Sequence, residues 1–323
     1  MFNKKIEILS LWIIIKILLL HEIKAFDINQ INQAQKNKTI DESINVTNPI
    51  NNNKTRNLQT ADYESIRIYI DTFYLKSKTS SSKFLIYNES LYRAKNTLEK
   101  LIKVKRETNV INKEDYQNKI KSNFGDDVTF DSEMSLNEID LVIFVHISTF
   151  TEILYDKDCN EFPQIHEIRN KRPIIGSIII DDELYNKIDK SDKEKYRIEF
   201  LSSNFLHQFT HVLGFTRSIF KNKIQNITVK RINDVNKEMI STSNLMNVAK
   251  KYFNCYNDND FKGIELEEKK VQSGCDEFIH WDSRILLGDY MNAFSYVQDQ
   301  VISEFTLALL KDTGFYDVNY QED

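Results

Sequence analysis

Two apolar runs constrain the fold of this chain more than any other feature of its sequence. They are "IDLVIFVHI", residues 139–147, and "RPIIGSIII", residues 172–180. Each has the length of a β-strand but lacks the polar alternation of a strand with one wet face, so both are expected to be buried on both sides. Such strands need helices packed on their sheet. The sequence therefore predicts an α/β (α+β) fold.

Hydrophobic periodicity predicts several further elements. Alternation over residues 66–75 favours a half-buried strand, and residues 88–106 have the spacing of an amphipathic helix. The apolar face of that helix is formed by Leu91, Ala94, Leu98, Leu101 and Ile102. A long helix is predicted for residues 191–214, beginning at a capping box of Ser191 and Glu194.

The C-terminal third of the chain has weaker patterns. Residues 215–282 are predicted to be irregular apart from a short helix from Thr242 to Phe253. The last regular element is predicted over residues 297–314, with Val301, Phe305, Ala308 and Leu309 as its apolar stripe. No internal repeat is visible.

The N-terminus has the pattern of a secretory signal peptide, predicted for residues 1–25. Lys4 and Lys5 precede an apolar run from Ile8 to Leu20, and Ala25 is a small residue at a suitable cleavage position. The alternative is an uncleaved membrane anchor, which the run disfavours because about 20 apolar residues are needed to span a bilayer. Membrane association is expected only through this segment, and the protein is expected to be secreted or at the cell surface.

Residues 26–60 are rich in Asn, Gln, Lys and Thr and lack helical or strand periodicity. This composition predicts a disordered linker or the relic of a pro-segment. Five Asn-x-Ser/Thr triplets are weak support for a secreted glycoprotein. They begin at Asn37, Asn45, Asn53, Asn88 and Asn226.

The charge and cysteine content exclude some classes of protein. The formal net charge is -5 and the basic residues are scattered, so no nucleic-acid partner is expected. Three cysteines allow at most one disulfide. We expect a bond between Cys255 and Cys275, in preference to Cys275 as an additional metal ligand.

The stretch "HQFTH" lies within the long predicted helix and carries two histidines four residues apart, His207 and His211. Residues at this spacing lie on one face of a helix, so both imidazoles can point at one ion. Gly214 can end the helix in a left-handed turn that returns the chain toward the metal. A catalytic zinc ion is typically held by three protein ligands.

The third ligand is either His280 or His166, because His21 lies in the signal peptide and His146 lies within a predicted strand. His280 is favoured by its surroundings. Met291 follows it by eleven residues and a helix comes soon after, which is the order found in zinc peptidases that have a Met-containing turn under the metal.

With these motifs the sequence resembles the leishmanolysin family of metzincin peptidases, over residues 66–320. The matching stretches, in chain order, are "RPIIGSI", "HQFTHVLGF", "IHWDSR", "DYMN" and "LALLKDTGFYDVNY". That family places a long insertion between the helix-ending glycine and the third histidine. Here 65 residues, 215–279, lie between Gly214 and His280.

The resemblance implies a metzincin-type zinc metallopeptidase fold in two subdomains. Residues 61–214 would form an N-terminal subdomain of twisted sheet and helices that ends in the zinc helix. Residues 215–323 would form a smaller C-terminal subdomain with the third histidine, the Met-turn at Met291 and the terminal helix. The implied Zn²⁺ ligands are His207, His211 and His280. The implied activity is endopeptidase cleavage of proteins or peptides.

The sequence departs from the family pattern where the chemistry is done. The family has glutamate as the general base next to the first histidine, whereas this chain has Gln208. A neutral amide cannot take a proton from water near neutral pH, and Asp282 and Glu277 are the other carboxylates considered for that role. No cysteine precedes Cys159, so no pro-segment switch is expected, and neither are the Cys-rich C-terminal domain and anchor signal of the longest members.

The first hypothesis is therefore a secreted leishmanolysin-like protein that binds zinc and peptides but is catalytically impaired at Gln208. Two alternatives remain open at this point. One is an active secreted or cell-surface zinc metalloendopeptidase that uses another base. The other is a metal-free adhesion or scaffold protein.

Overall fold

The computed structural model describes residues 63–106, 111–148, 163–182, 194–229, 235–255, 261–267, 279–292 and 300–320. The strands are β1 Tyr63–Ser65, β2 Ile68–Asp71, β3 Ile102–Lys105, β4 Leu141–Ser148, β5 Gln164–Arg169, β6 Arg172–Asp181, β7 Ile224–Val229, β8 Val235–Ile240, β9 Ile264–Glu265 and β10 Tyr316–Val318. The helices are α1 Phe73–Lys78, α2 Ser81–Leu101, α3 Lys113–Phe124, α4 Glu194–Val212, α5 Arg217–Phe220, α6 Ser243–Phe253 and α7 Glu304–Asp312.

Several sequence predictions fall outside these ranges. The signal peptide at residues 1–25, the segment 26–60, Cys159, Cys275, Glu277 and the Ser191 end of the capping box are among them. Thr60–Asp323 cluster as one compact unit, and the division at residues 214 and 215 stays a prediction. No helix in the described part of the chain is both long and apolar enough to cross a membrane.

The central sheet has four strands in the order β2-β4-β6-β5. The first three are parallel, and β5 is an antiparallel edge strand. Alternate residues of β4 point to different cores: Ile143 and Val145 pack with α2 and α4, whereas Val142 and Phe144 pack with α3. Helices on both faces explain why the β4 and β6 sequences are nearly continuous apolar runs. The predicted mixed α/β fold is confirmed.

Gly176 sets how closely α4 approaches this sheet. A Cβ atom built at Gly176 on β6 would lie 2.4 Å from Cγ1 of Val212 and 2.8 Å from the carbonyl oxygen of Gln164. No side chain fits at those distances. The glycine in "RPIIGSIII" therefore allows the end of α4 to pack directly on the sheet, next to the histidines of that helix.

Two predicted elements near the N-terminus are partly wrong. The strand predicted over residues 66–75 ends at Asp71, because Oδ1 of Asp71 accepts a hydrogen bond from the backbone N–H of Phe73 (3.1 Å) and the chain turns into α1. The helix that was predicted to continue to residue 106 ends at Leu101. Ile102 is buried as predicted, but it lies on β3, which pairs with β1 and β10.

The C-terminal third contains more regular structure than its sequence indicates. The region predicted to be irregular contains a three-stranded sheet in the order β7-β8-β9, besides α6 at the predicted position. The last helix is shorter than predicted. Ser303 caps its start by accepting a hydrogen bond from the N–H of Thr306, and Val301 precedes it with 55% of its surface exposed.

Cys255 follows α6 and carries a free thiol. Cys275 lies outside the described residues, so the disulfide between Cys255 and Cys275 stays a prediction. Asn254 adopts a left-handed conformation at the end of α6. The backbone N–H of the next residue, Cys255, donates to the carbonyl of Lys250 and closes the last turn of the helix.

Candidate metal centre

The C-terminal turns of α4 present the two histidines of the "HQFTH" stretch on one face. Nε2 of His207 and Nε2 of His211 are 3.1 Å apart. The helix ends at Val212. Gly214 follows in the turn, and its φ of 113° is in the region that favours glycine. The carbonyl of Phe215 then lies 2.8 Å from Nδ1 of His211. The predicted turn therefore returns the chain to the site.

His280 approaches the helix from a segment held on both sides by backbone pairing. On one side, the N–H of Glu267 donates to the carbonyl of His280 (2.9 Å). On the other side, the N–H of Trp281 donates to the carbonyl of Met291 (3.1 Å). Nε2 of His280 lies 3.2 Å from Nε2 of His207 and 3.2 Å from Nε2 of His211.

The alternative third ligand, His166, lies elsewhere. It is on β5, where its Nε2 is 2.8 Å from Oγ of Ser177 on β6, and its ring packs edge-on against Phe124. Within the described ranges, the group of side chains with metal-binding geometry consists of His207, His211 and His280. The structure thus brings together the three histidines that the sequence favoured.

The segment around Met291 supports the site through its neighbour Tyr290. The carbonyl of Tyr290 is 2.7 Å from Nδ1 of His207. Its phenol oxygen is 2.8 Å from Oγ1 of Thr210, on the next turn of α4. Met291 is fully buried in the core, and its role beneath a metal stays a prediction. Tyr290 was not predicted from the sequence, because its main contact to a histidine is made by a backbone carbonyl that any residue has.

Asp289 ties this turn to the start of α7. Its carboxylate accepts hydrogen bonds from Oγ1 of Thr306 (2.8 Å), from Oγ of Ser303 and from the backbone N–H of Met291 (2.6 Å). Burial raises the pKa of Asp289 to about 6, against the lowering effect of these donors. Nε1 of Trp281 also donates to Oγ1 of Thr306 (2.8 Å). The third-histidine segment and the Met-turn therefore share one anchor on α7.

The hydrogen bonds fix which nitrogens of the two helix histidines face the site. A carbonyl oxygen can only accept, so Nδ1 carries the hydrogen in His207 and in His211. Their Nε2 atoms are then bare acceptors that converge with Nε2 of His280. Burial lowers the pKa of all three imidazoles, that of His280 to about 3. Two bare ring nitrogens that converge with the Nε2 atom of a third neutral imidazole are an arrangement suited to a cation.

Gln208 follows His207 on α4. Its side-chain oxygen Oε1 is buried and has no hydrogen-bond partner among the residues with described side chains. The carboxylate of Asp282, a candidate replacement for the base, is bound by two cations: Nε of Arg284 donates to it (2.9 Å), and Nζ of Lys237 lies 3.4 Å away. Burial raises the pKa of Asp282, but the hydrogen bonds and charges of Arg284 and Lys237 outweigh this and lower it.

A mixed α/β fold with two histidines on one helix, a third on a distant segment and a Met-containing turn beside them is of the metzincin type. A comparison of the sequence with models of protein families identifies one family. Residues 79–323 match the model of peptidase M8, leishmanolysin, which covers most of the chain. The protein belongs to the leishmanolysin family.

Curated relatives agree with this assignment. A leishmanolysin-like peptidase of Drosophila melanogaster is 26% identical over 162 residues, which cover 38% of this chain and 23% of that protein. A ciliated left-right organizer metallopeptidase of Danio rerio is 28% identical over 159 residues, which cover 46% of this chain and 24% of that protein. The matched part of this chain thus spans about a quarter of each relative.

Proposed function

We propose that this protein is an extracellular leishmanolysin homologue that binds zinc and peptides at its three-histidine site but is impaired as a peptidase. The single observation that supports this best is the convergence of the three histidine Nε2 atoms, on a helix whose next residue after His207 is Gln208. The predicted signal peptide supports the extracellular location, and the family supports protein or peptide ligands.

The donor set and its spacing fit zinc. Zinc accepts neutral imidazole nitrogens, and catalytic sites often combine three protein ligands with one open position. In a tetrahedral site with zinc–nitrogen distances of about 2.05 Å, two ligand nitrogens are roughly 3.3 Å apart. The three Nε2 separations here are 3.1, 3.2 and 3.2 Å. A single ion at the centre would therefore contact all three rings with little movement.

The partners of the helix histidines would hold these rings in the binding orientation. The carbonyls of Tyr290 and Phe215 fix the Nδ1–H tautomer of His207 and His211, as second-shell acceptors do in zinc sites. When bound, zinc supplies a Lewis acid that polarises a carbonyl and makes water more acidic. The rest of the chemistry must come from protein side chains.

Gln208 is the reason for expecting impaired cleavage. Removing a general base or acid typically lowers a rate by about 10²- to 10⁴-fold, and an amide cannot accept the proton that a glutamate would take. Asp282 does not replace the base, because its carboxylate is buried against Arg284 and Lys237. Gln208 is not among the three converging ligands, so its replacement of glutamate should leave zinc binding intact.

The test compares the wild type with Gln208→Glu, using Gln225→Glu as a matched control at an exposed position on β7. Zinc content is measured on the purified proteins, and cleavage is followed with a quenched fluorescent peptide library. We expect about one zinc ion per chain in all three proteins and a gain in cleavage of roughly 100-fold or more in Gln208→Glu alone.

Two results would count against the proposal. Wild-type cleavage that a zinc chelator abolishes and that Gln208→Glu does not raise would mean that another group serves as the base. If a folded wild-type protein binds no zinc after incubation with excess zinc, the three-histidine site is not a zinc site.

A further inference from the structure

Helix α2 carries one of the five Asn-x-Ser/Thr triplets, Asn88-Glu89-Ser90, which the proposed function does not use. Asn88 lies within α2, on its surface, and its side chain is partly exposed. Its amide makes no hydrogen bond to another described residue, whereas the amide of Asn244 on α6 donates to Asp312 (2.7 Å). The Nδ2 atom of Asn88 can therefore carry a substituent without the loss of a contact in the fold.

Two large apolar side chains lie next to Asn88 on the same face of α2. Leu85, three residues before it, is 65% exposed, and Tyr92, four residues after it, is 50% exposed. Residues at these spacings are neighbours on a helix, with about 5–6 Å between their Cβ atoms. Side chains on a helix lean toward its N-terminus, so Tyr92 leans toward Asn88 and Asn88 leans toward Leu85. Asn88 thus stands between two exposed apolar groups.

We infer that Asn88 is N-glycosylated and that the first sugar of its glycan packs on Leu85 and Tyr92. Nδ2 of Asn88 attacks the anomeric carbon of a lipid-linked oligosaccharide. The bond from this carbon to the lipid diphosphate breaks, the diphosphate leaves with the electron pair, and Nδ2 loses one proton. The inference rests on the extracellular part of the proposed function, because the chain must enter the secretory pathway to meet this donor.

The sugar must be attached before α2 folds. Ser90 is 0% exposed, and its Oγ donates to the carbonyl of Ile86 (2.8 Å), so a transferase cannot reach this hydroxyl in the folded helix. In the unfolded chain the whole triplet is accessible. Residues two apart lie on nearly opposite sides of a helix, so folding buries Ser90 and leaves Asn88 at the surface with its glycan.

A protein partner matches this face less well than a sugar does. A specific interface typically buries about 800 Å² on each partner, whereas the strongly exposed apolar residues of α2 are Leu85 and Tyr92. Charged groups border them: Glu89 pairs with Arg93 (2.8 Å), and Nζ of Lys95 lies 5.8 Å from the centroid of the Tyr92 ring. A single pyranose ring, which has C–H groups on its faces, is of a size that fits between these two side chains.

The first experiment expresses the full chain in a eukaryotic secretory host and measures secretion, together with the sugar on each triplet, by glycopeptide mass spectrometry. We expect most copies of the secreted wild type to carry a glycan at Asn88. Asn88→Gln removes the acceptor amide and Ser90→Ala removes the recognised hydroxyl, so each should abolish this glycan. Asn96→Gln, at an exposed position of the same helix outside any triplet, is the matched control and should leave it unchanged.

Hydroxyl-radical footprinting measures whether the sugar covers the apolar pair. Oxidation of Leu85 and Tyr92 should be severalfold greater in Ser90→Ala, which keeps Leu85, Asn88 and Tyr92, than in the wild type. Asn88→Gln should give the same increase with the buried side of α2 unchanged. Tyr252 on α6, which is 69% exposed, is the internal reference and should react equally in all proteins. Trimming the glycan to its first sugar should keep most of the protection.

The outcomes separate this inference from the proposed function. Secreted wild type without sugar at Asn88 overturns the inference and leaves the extracellular location standing. Occupied Asn88 with equal oxidation of Tyr92 in the wild type and Asn88→Gln overturns the packing of the sugar on this face. A chain that stays in the cytosol overturns the extracellular part of the proposed function and this inference with it.

Discussion

The hydrogen bond between Tyr290 and Thr210 joins the turn around Met291 to α4, and a pair of substitutions tests it. Thr210 donates its only hydroxyl hydrogen to the carbonyl of Leu206 (2.8 Å). The phenol of Tyr290, 2.8 Å away, must therefore be the donor to Oγ1 of Thr210. Burial raises the pKa of Tyr290 far above its usual value, so this hydrogen stays in place at any ordinary pH.

The expected magnitudes are unequal because the two groups have different roles. Tyr290→Phe removes the donor and should lower the free energy of unfolding by about 1 kcal/mol. Thr210→Val leaves a phenol O–H buried without an acceptor, because Tyr290 is 1% exposed and Thr210 is 0% exposed, which should cost about 2 kcal/mol. The double variant replaces both partners by apolar groups of similar shape and should be nearly neutral. The coupling energy, which is the double-variant loss minus the two single losses, is then about 3 kcal/mol in magnitude.

The same hydrogen bond should affect the metal through the carbonyl of Tyr290, which orients His207. Second-shell partners typically change metal affinity by about 10- to 100-fold. Since the carbonyl itself remains in Tyr290→Phe, we expect zinc affinity to fall by roughly 3- to 10-fold. Urea unfolding gives the stabilities, and competition with a chromogenic chelator gives the zinc affinities, for the wild type, both single variants and the double variant.

Two outcomes would refute this reasoning. If the double variant loses the sum of the two single losses, the hydroxyls do not depend on each other. If both single variants bind zinc as tightly as the wild type, the turn does not position His207.

Three further predictions concern packing, pH and the metal. Gly176→Ala should lower stability by more than about 1–3 kcal/mol, because its Cβ would collide with Val212, whereas Gly288→Ala, with no atom closer than 3.8 Å, should be nearly neutral in the same urea titration. Because burial raises the pKa of Asp289 from 3.8 to about 6, the folded state binds this proton more tightly. The stability that this proton contributes is fully present below about pH 4 and is lost as pH rises through 6. The difference in free energy of unfolding between the wild type and Asp289→Asn should therefore change by about 3 kcal/mol between these pH values and stay constant above pH 7. Finally, zinc at about 1,000 times its dissociation constant should raise the stability by about 4 kcal/mol in a thermal shift assay, and His280→Ala should lose most of this gain while a chelator has little further effect.

The parts of the fold that could be predicted are those in which side-chain pattern and burial agree. The β4 and β6 runs are apolar throughout because helices cover both faces of the sheet. The strand over residues 66–75 was predicted too long because the apolar alternation continues past Asp71. At Asp71 a single side-chain hydrogen bond starts a helix. The β7-β8-β9 sheet was missed because its short strands have no sustained apolar alternation.

Some residues of the candidate site could likewise be predicted from the sequence, and others could not. His207, His211 and His280 could be found because helical spacing and the following methionine limit the alternatives. The groups that orient them could not be found, because the acceptors are the backbone carbonyls of Tyr290 and Phe215. No residue type indicates where a carbonyl will point. The contacts of Asp289 with α7 join residues up to 17 positions apart across a turn, which periodicity does not report.

His211 and His280 are 69 positions apart in the sequence, and this separation bears on how a bound ion would stabilise the fold. An ion held by both would cross-link the chain much as a disulfide does, and would restrict the unfolded ensemble as well as stabilise the folded one. The entropy of closing such a loop grows only with the logarithm of its length, so doubling the loop costs only about 0.6 kcal/mol. The stretch between the second and third ligands is thus a place where such a chain can gain or lose residues at little thermodynamic penalty.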